Sequence, residues 1–412
     1  MLKISLYCSL ALFFAQTSLA QITVTPAGCV GAPKVSSRIQ PPTLVVDPAG
    51  GGDFTEISDA VVAAVPETLI LVRAGVYTSP VVIDDQSLKI FADDLGVIQT
   101  TEPILVQGVG AGQSVTLSGL VMERGFRIEN CAGLVRLQDC STPTDVPLAP
   151  APTSSPYWEW HFCGIGGSRQ VIENSQAVTL VGCEFTGADG SFWAPWDGAP
   201  GHHGLLVNDS HVALYDCRLD GGNGEDCAIP PPFNVGGGAG GDALRVIGAA
   251  SQVRHARMQW STGLGGFYSM DAGGTLSVAC DGIPIRSDAG SVVEESTHTP
   301  LVYSVPALLR SGQLGWHTAS GPAGSALTVA RSYRGAWSPL GNDQGIRHLP
   351  LFAGQSLVGQ FLPDGTLHRP FAVEGPASAL THTATEMQAF STMGGPLFWS
   401  EPRLLVVVHP SL

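Results

Sequence analysis

Charge is scarce in this chain, and basic charge scarcest. Only 13% of its 412 residues are charged, with 20 Lys and Arg against 35 Asp and Glu, for a formal net charge of −15. Such a surface repels phosphate backbones, which argues against nucleic acid as a partner. Long apolar runs are missing as well: no stretch reaches the ~18 residues of a membrane helix, so a membrane-embedded chain is not expected. No GxSxG elbow, HExxH helix, P-loop or dinucleotide fingerprint is present, which removes the commonest routes to hydrolase, metalloprotease and nucleotide chemistry.

Glycine and proline are plentiful, at 51 and 30 residues. With so little charge, this composition implies many short strands and turns instead of long surface helices. At the N-terminus, Lys3, the apolar run Ile4 to Phe14 and the small residues Ser18-Leu19-Ala20 read as a secretory signal over residues 1–20. The expected product begins near Gln21 and is secreted or sits at the cell surface.

Five segments align with one another: VTLSGLVM from Val115, VRLQDCST from Val135, VTLVGCEF from Val178, VALYDCRL from Val212 and VRHARMQW from Val253. In each, the first residue and the one two places on (Leu117, Leu137, Leu180, Leu214, His255) carry the period of a strand facing a core. The next column, Gly119, Asp139, Gly182, Asp216 and Arg257, is mostly of types that tolerate a left-handed corner. Apolar residues then return at Leu120, Cys140, Cys183, Cys217 and Met258. Strand, corner and strand, repeated, predict stacked coils of a parallel β-helix. Cys140, Cys183 and Cys217 share one interior column, where a thiol acts as a small hydrophobe. The pairing of Cys29, Cys131, Cys163, Cys227 and Cys280 is left open. His255 is expected to be a satisfied histidine where the core ends.

The segment GGDFTEISDAVVAAVPETLILVRAGVYTSPVVI, Gly51 to Ile83, resembles the opening of pectin methylesterases and, more broadly, the pectate-lyase-like right-handed parallel β-helix superfamily. The resemblance implies an all-β fold with an N-terminal capping helix, for which Thr55 is the expected cap residue. The family's esterase chemistry uses a glutamine, two aspartates and an arginine. Gln138-Asp139 matches one of those segments superficially, but Asp139 already has a role as a corner, and the other motifs are absent.

After Cys280, the segment 286–302 reads as a linker, and 303–412 as a small β-sandwich-like domain of about seven strands, or as strands packed along the helix. The expected layout is therefore a signal over 1–20, a lead segment over 21–43, the β-helix over 44–285, that linker, and the C-terminal domain.

Three insertions follow the second strand of successive coils and should leave the solenoid on one side. Two of them carry Trp158, Trp160, Trp193, Trp196, Asp197 and His203, a set suited to stacking sugar rings and bonding hydroxyls. The third contains GGNGEDCAI and GGAGGDALR, which fit a calcium nonapeptide with Asp226 and Asp242 as ligands. Calcium is thus the one cofactor the sequence suggests, although the two copies start 16 residues apart and not nine. The expected function is non-catalytic binding of a polysaccharide or cell-surface glycan. The alternative is a polysaccharide lyase, which would need a basic residue converging with two carboxylates, or a glycoside hydrolase, for which Asp197, Asp220, Glu225 and Asp226 are the acidic residues that could pair as catalytic carboxylates.

Overall fold

The computed structural model describes residues 42–93, 97–143, 170–190, 200–225, 238–268, 277–295, 301–321, 323–332, 354–372, 382–392, 397–408 and 411. From Thr43 to Glu295 its architecture is set by long parallel sheets. A nine-stranded sheet takes one strand per turn of the chain: Thr43–Val46, Thr68–Val72, Leu88–Ala92, Ser114–Ser118, Leu134–Gln138, Ala177–Val181, His211–Tyr215, Gln252–Ala256 and Val292–Glu295. A seven-stranded sheet does the same with Val81–Asp84, Ile104–Gln107, Phe126–Glu129, Gln170–Glu173, Leu205–Asn208, Leu244–Ile247 and Ile285–Ser287. Shorter strands such as Glu184–Thr186, Arg218–Asp220 and Gln259–Ser261 build a third face. Three parallel sheets that each gain a strand per turn are the arrangement of stacked coils, compatible with a parallel β-helix.

The aligned valines pair in register, Val115 with Val135, Val135 with Val178, Val178 with Val212 and Val212 with Val253. Corner residues follow at positive φ: Gly119 at 74°, Asp139 at 52°, Gly182 at 64°, Asp216 at 51° and Arg257 at 53°. An ordinary side chain pays strain there. Arg257 offsets it with a two-pronged ion pair to Asp216, Nε and Nη2 donating at 2.6 and 2.7 Å.

A second corner column follows the seven-stranded sheet. Asp85, Gly108, Asn130, Asn174, Asp209 and Gly248 all have φ between 43° and 82°. A ladder of hydroxyls runs beside it, with Ser175 N donating to Ser210 Oγ at 3.0 Å and Ser210 N to Ser251 Oγ at 3.4 Å.

One core fills the interior, and Val135, Leu137, Val178, Leu180, Val212 and Leu214 are buried in it. Cys140, Cys183 and Cys217 belong to the same core as free thiols. Burial, together with the two neighbouring thiols, raises the Cys183 pKa well above the ordinary thiol value. Cys131 and Cys280 are also free, while Cys29, Cys163 and Cys227 lie outside the described residues. At the last coil the interior turns polar. His255, 6% exposed, meets the Trp260 ring edge-on at 5.3 Å, and Glu295 pairs with it in register.

The helix Ile57–Ala63 buries Ile57, Ala60 and Val61 in this core. Its N-cap is Glu56, without a side-chain cap bond. The expectation of Thr55 as cap is therefore corrected.

The segment 286–302 is not a bare linker. Ile285–Ser287 and Val292–Glu295 extend the two large sheets, pairing in parallel with Leu244–Ile247 and Gln252–Ala256. Its Asp, Ser and Gly residues make the turn between them.

Beyond it, Val302–Ser304, Leu314–Ser320 and Thr366–Ala372 form a three-stranded sheet. Leu308–Arg310, Ala326–Ser332, Gly354–Gln360, His382–Thr392 and Leu397–Val408 form a five-stranded one. Both contribute to a shared core that includes Tyr303, Leu327, Leu367, Met387 and Leu405. These strands also pack along the solenoid. Leu404, Val406 and Val408 cluster with Leu69, Leu71 and Phe91 on the outer face of the nine-stranded sheet, and residues 40–412 form one compact unit.

Candidate functional site

The connections that leave the third face and return to the seven-stranded sheet are built on stacked backbone. Their outgoing arms are 187–190, 221–225 and 262–266, and their returning arms are 200–204, 238–242 and 279–283. The arms interleave. His202 N donates to Ala188 O at 2.8 Å, Gly222 N to His202 O at 2.8 Å and Gly241 N to Gly222 O at 2.8 Å. The ladder continues from Gly263 N to Gly241 O and from Gly282 N to Gly263 O, both at 2.9 Å. A Cβ on Gly222, Gly241, Gly263 or Gly282 would overlap a carbonyl oxygen of a neighbouring arm. Among these four residues none has positive φ, so close approach and not turn geometry demands glycine here.

Side chains extend the stack. Asp189 Oδ1 accepts from Asn223 N at 2.6 Å, and Asn223 Oδ1 accepts from Leu264 N at 2.9 Å. Satisfying backbone donors in this way keeps an irregular segment fixed.

Of the glycines in the suggested calcium turns, Gly221, Gly222, Gly224, Gly240 and Gly241 lie against the backbone of neighbouring arms. Asp242 is 1% exposed. Its Oδ1 accepts from Ile283 N at 2.9 Å and its Oδ2 from Arg286 Nε at 2.8 Å. The backbone N–H of Ile283 occupies Oδ1 and the Arg286 guanidinium occupies Oδ2, where its charge repels a cation, so Asp242 does not fit a calcium ligand. Among the described residues no group of three or more His, Cys, Asp and Glu side chains is placed to hold a metal. Asp226 lies outside the described residues.

His203 sits against the same carboxylate. Its Nδ1 accepts from the Asp242 backbone N–H at 3.0 Å, which assigns the ring proton to Nε2. Burial lowers the His203 pKa; the Asp242 charge opposes this, and Arg245 and Arg286 reinforce it. The ring is therefore neutral near pH 7, and its 3.5 Å approach to Asp242 Oδ2 is not an ion pair. His203 and Arg286 sit at the base of the stack as hydrogen-bonding groups on Asp242.

Of the expected sugar-binding residues, the described part brings only His203 into this base. Trp158, Trp160, Trp193, Trp196 and Asp197 lie outside the described residues, as does the first insertion from 144 to 169. The chain between arms 187–190 and 200–204 is the one that carries Trp193, Trp196 and Asp197. A fourth connection, 262–284, was not among the expected insertions, although Gly263, Gly265, Gly266 and Gly282 repeat the earlier glycine positions.

Ion clusters occur elsewhere on the solenoid. Arg127 bridges Glu129 at 2.6 Å and Glu173 at 2.5 Å, and Arg218 bridges Glu184 at 3.2 Å and Asp220 at 2.9 Å. Both join an arginine to two carboxylates. The Gln138-Asp139 pair is spoken for as well. Gln138 Oε1 accepts from Leu404 N at 3.1 Å, and Asp139 Oδ1 accepts from Arg403 at 3.1 Å. In comparisons with known proteins, the chain matches no family model and no curated protein.

Proposed function

We propose that this protein is exported and binds a polysaccharide or cell-surface glycan without cleaving it, through the stacked connections at one edge of its solenoid. The supporting observation is the interleaved glycine ladder from Ala188 to Gly282. It makes the bases of successive loops a single rigid shelf, and rigid presentation of aromatic and polar groups is what a weak, repetitive ligand requires. In the same reading the fold is a right-handed parallel β-helix of the pectate-lyase-like kind. Right-handedness is the rule for parallel crossovers, the Ile57–Ala63 helix serves as the N-terminal cap, and the C-terminal strands form a β-sandwich-like module. Residues 1–20 would direct export.

The lyase or hydrolase alternative draws on the Arg127 cluster with Glu129 and Glu173. A glycan array probed with the chain from Gln21 onward, with product release monitored, separates the two. Binding without product, weakened at least about tenfold by Trp193→Ala together with Trp196→Ala, is the expected result. Product release, or binding indifferent to the loops, overturns the proposal.

A further inference from the structure

The strand Leu314–Ser320 presents two different faces. Gly315, His317 and Ala319 are buried, while Leu314, Trp316 and Ser320 are exposed. Behind it, Tyr303 Oη and His317 Nδ1 are 2.8 Å apart, and the His317 ring stacks on Phe371 at 4.3 Å. This inner aromatic stack fixes the backbone that carries Trp316.

In front, Trp316 lies opposite Pro370, Leu314 opposite Ala372 and Thr318 opposite His368. The Thr318 hydroxyl and His368 Nδ1 are 3.3 Å apart. Trp316 and Leu314 remain 50% and 63% exposed. The face thus offers an open indole in an apolar strip, continued along the strand by hydroxyl and imidazole groups, with Ser320 and Thr366 opposite each other at its end. Arg369 pairs with the inward residue His317, so it does not belong to this row.

Size selects the occupant. Seven residues at ~3.3 Å by two or three strands at ~4.8 Å give on the order of 300 Å², well below the roughly 800 Å² per partner of a stable protein interface. A peptide strand would add at a sheet edge and not on this face. A sugar ring fits: its apolar face covers an indole while its hydroxyls meet hydroxyl and imidazole groups at the rim.

The geometry points to a neutral-oligosaccharide contact on this sheet, with Trp316 as stacking platform and Thr318 and His368 as hydroxyl partners. It goes beyond the loop site and does not depend on it.

The test is calorimetric titration of the chain from Gln21 onward with cellohexaose, xylohexaose, mannohexaose and laminarihexaose. Wild type, Trp316→Ala, Thr318→Val and the Trp193→Ala/Trp196→Ala double variant are compared. For at least one hexasaccharide, Trp316→Ala should weaken binding about tenfold at unchanged Tm, with Thr318→Val intermediate and the loop variant retaining that affinity. The inference is overturned if wild type binds none of the four or if Trp316→Ala binds all of them like wild type. Sedimentation revealing Trp316-dependent self-association without sugar overturns it too. Loss in the loop variant alone upholds the loop site and removes this one; loss in Trp316→Ala alone does the reverse.

Discussion

The backbone N–H of Gly241 donates to the carbonyl oxygen of Gly222 at 2.8 Å, and a Cβ at Gly241 would overlap the carbonyl oxygen of His202. Two coils therefore touch through bare backbone, where a single methyl group has no room.

Gly241→Ala should accordingly destabilise by about 1–3 kcal/mol or more, since overpacking forces the backbone to shift. Gly312→Ala is a control for strain without crowding, because Gly312 has φ 86° but nothing within 4 Å of its Cβ position. Urea denaturation of both variants checks this, with hydrogen exchange at Gly222 and Gly263 rising only in Gly241→Ala. Unchanged exchange there would remove the shelf from the account of loop order.

The alternating columns and their corners were legible because inward strands need apolar side chains at period two, and a one-residue corner needs Gly or Asp. Even Arg257 was placed by register. The seven-stranded sheet was harder to read. FRIE, QVIE, LLVN and LRVI each turn only two side chains inward, too few for a period to show. Its corner left a signal that went unused: Asn130, Asn174 and Asp209 are each followed by Cys or Ser. Packing of the C-terminal strands was also written in the sequence. In the run LLVVV from Leu404, Leu405 and Val407 enter one core while Leu404, Val406 and Val408 enter another, and an unbroken apolar run marks a strand covered on both faces. The glycine shelf escaped because glycines spaced for backbone contact look like glycines spaced for turns.

Val406 is fully buried between the five-stranded sheet and the solenoid. Val406→Asp should detach the C-terminal strands by placing an unpaired charge in that interface. Arg403→Ala removes only a partly exposed ion pair to Asp139, expected to be worth up to about 1 kcal/mol. Limited proteolysis and dye binding distinguish the two: rapid cleavage between 301 and 321 in Val406→Asp alone fits the packing, and equal resistance would contradict it.

Thiol reactivity should follow burial. Cys280 is exposed, whereas Cys140, Cys183 and Cys217 are buried, and burial raises the Cys183 pKa, keeping it a thiol. Alkylation mapped by mass spectrometry should label Cys280 in native protein and the other three only after denaturation. Labelling of Cys183 under native conditions would mean that the column opens.

Acid should weaken the fold first through its histidines. Burial lowers the pKa of His203 and of His255 below the ordinary 6.5, outweighing Asp242 beside the first and Glu295 beside the second. As pH falls through 6.5 the unfolded chain takes up protons that the native chain refuses. The native state binds fewer protons in this window, so stability declines as pH drops and levels off once pH is below the native values. His203→Gln keeps an acceptor for the Asp242 N–H but cannot titrate. Its stability, measured by urea unfolding at pH 7.5 and 5.5, should fall less than that of wild type, and the difference between the two pH values cancels any fixed cost of the substitution. Identical losses in both proteins would mean that His203 takes its proton as readily folded as unfolded, which contradicts its burial beneath the loop shelf.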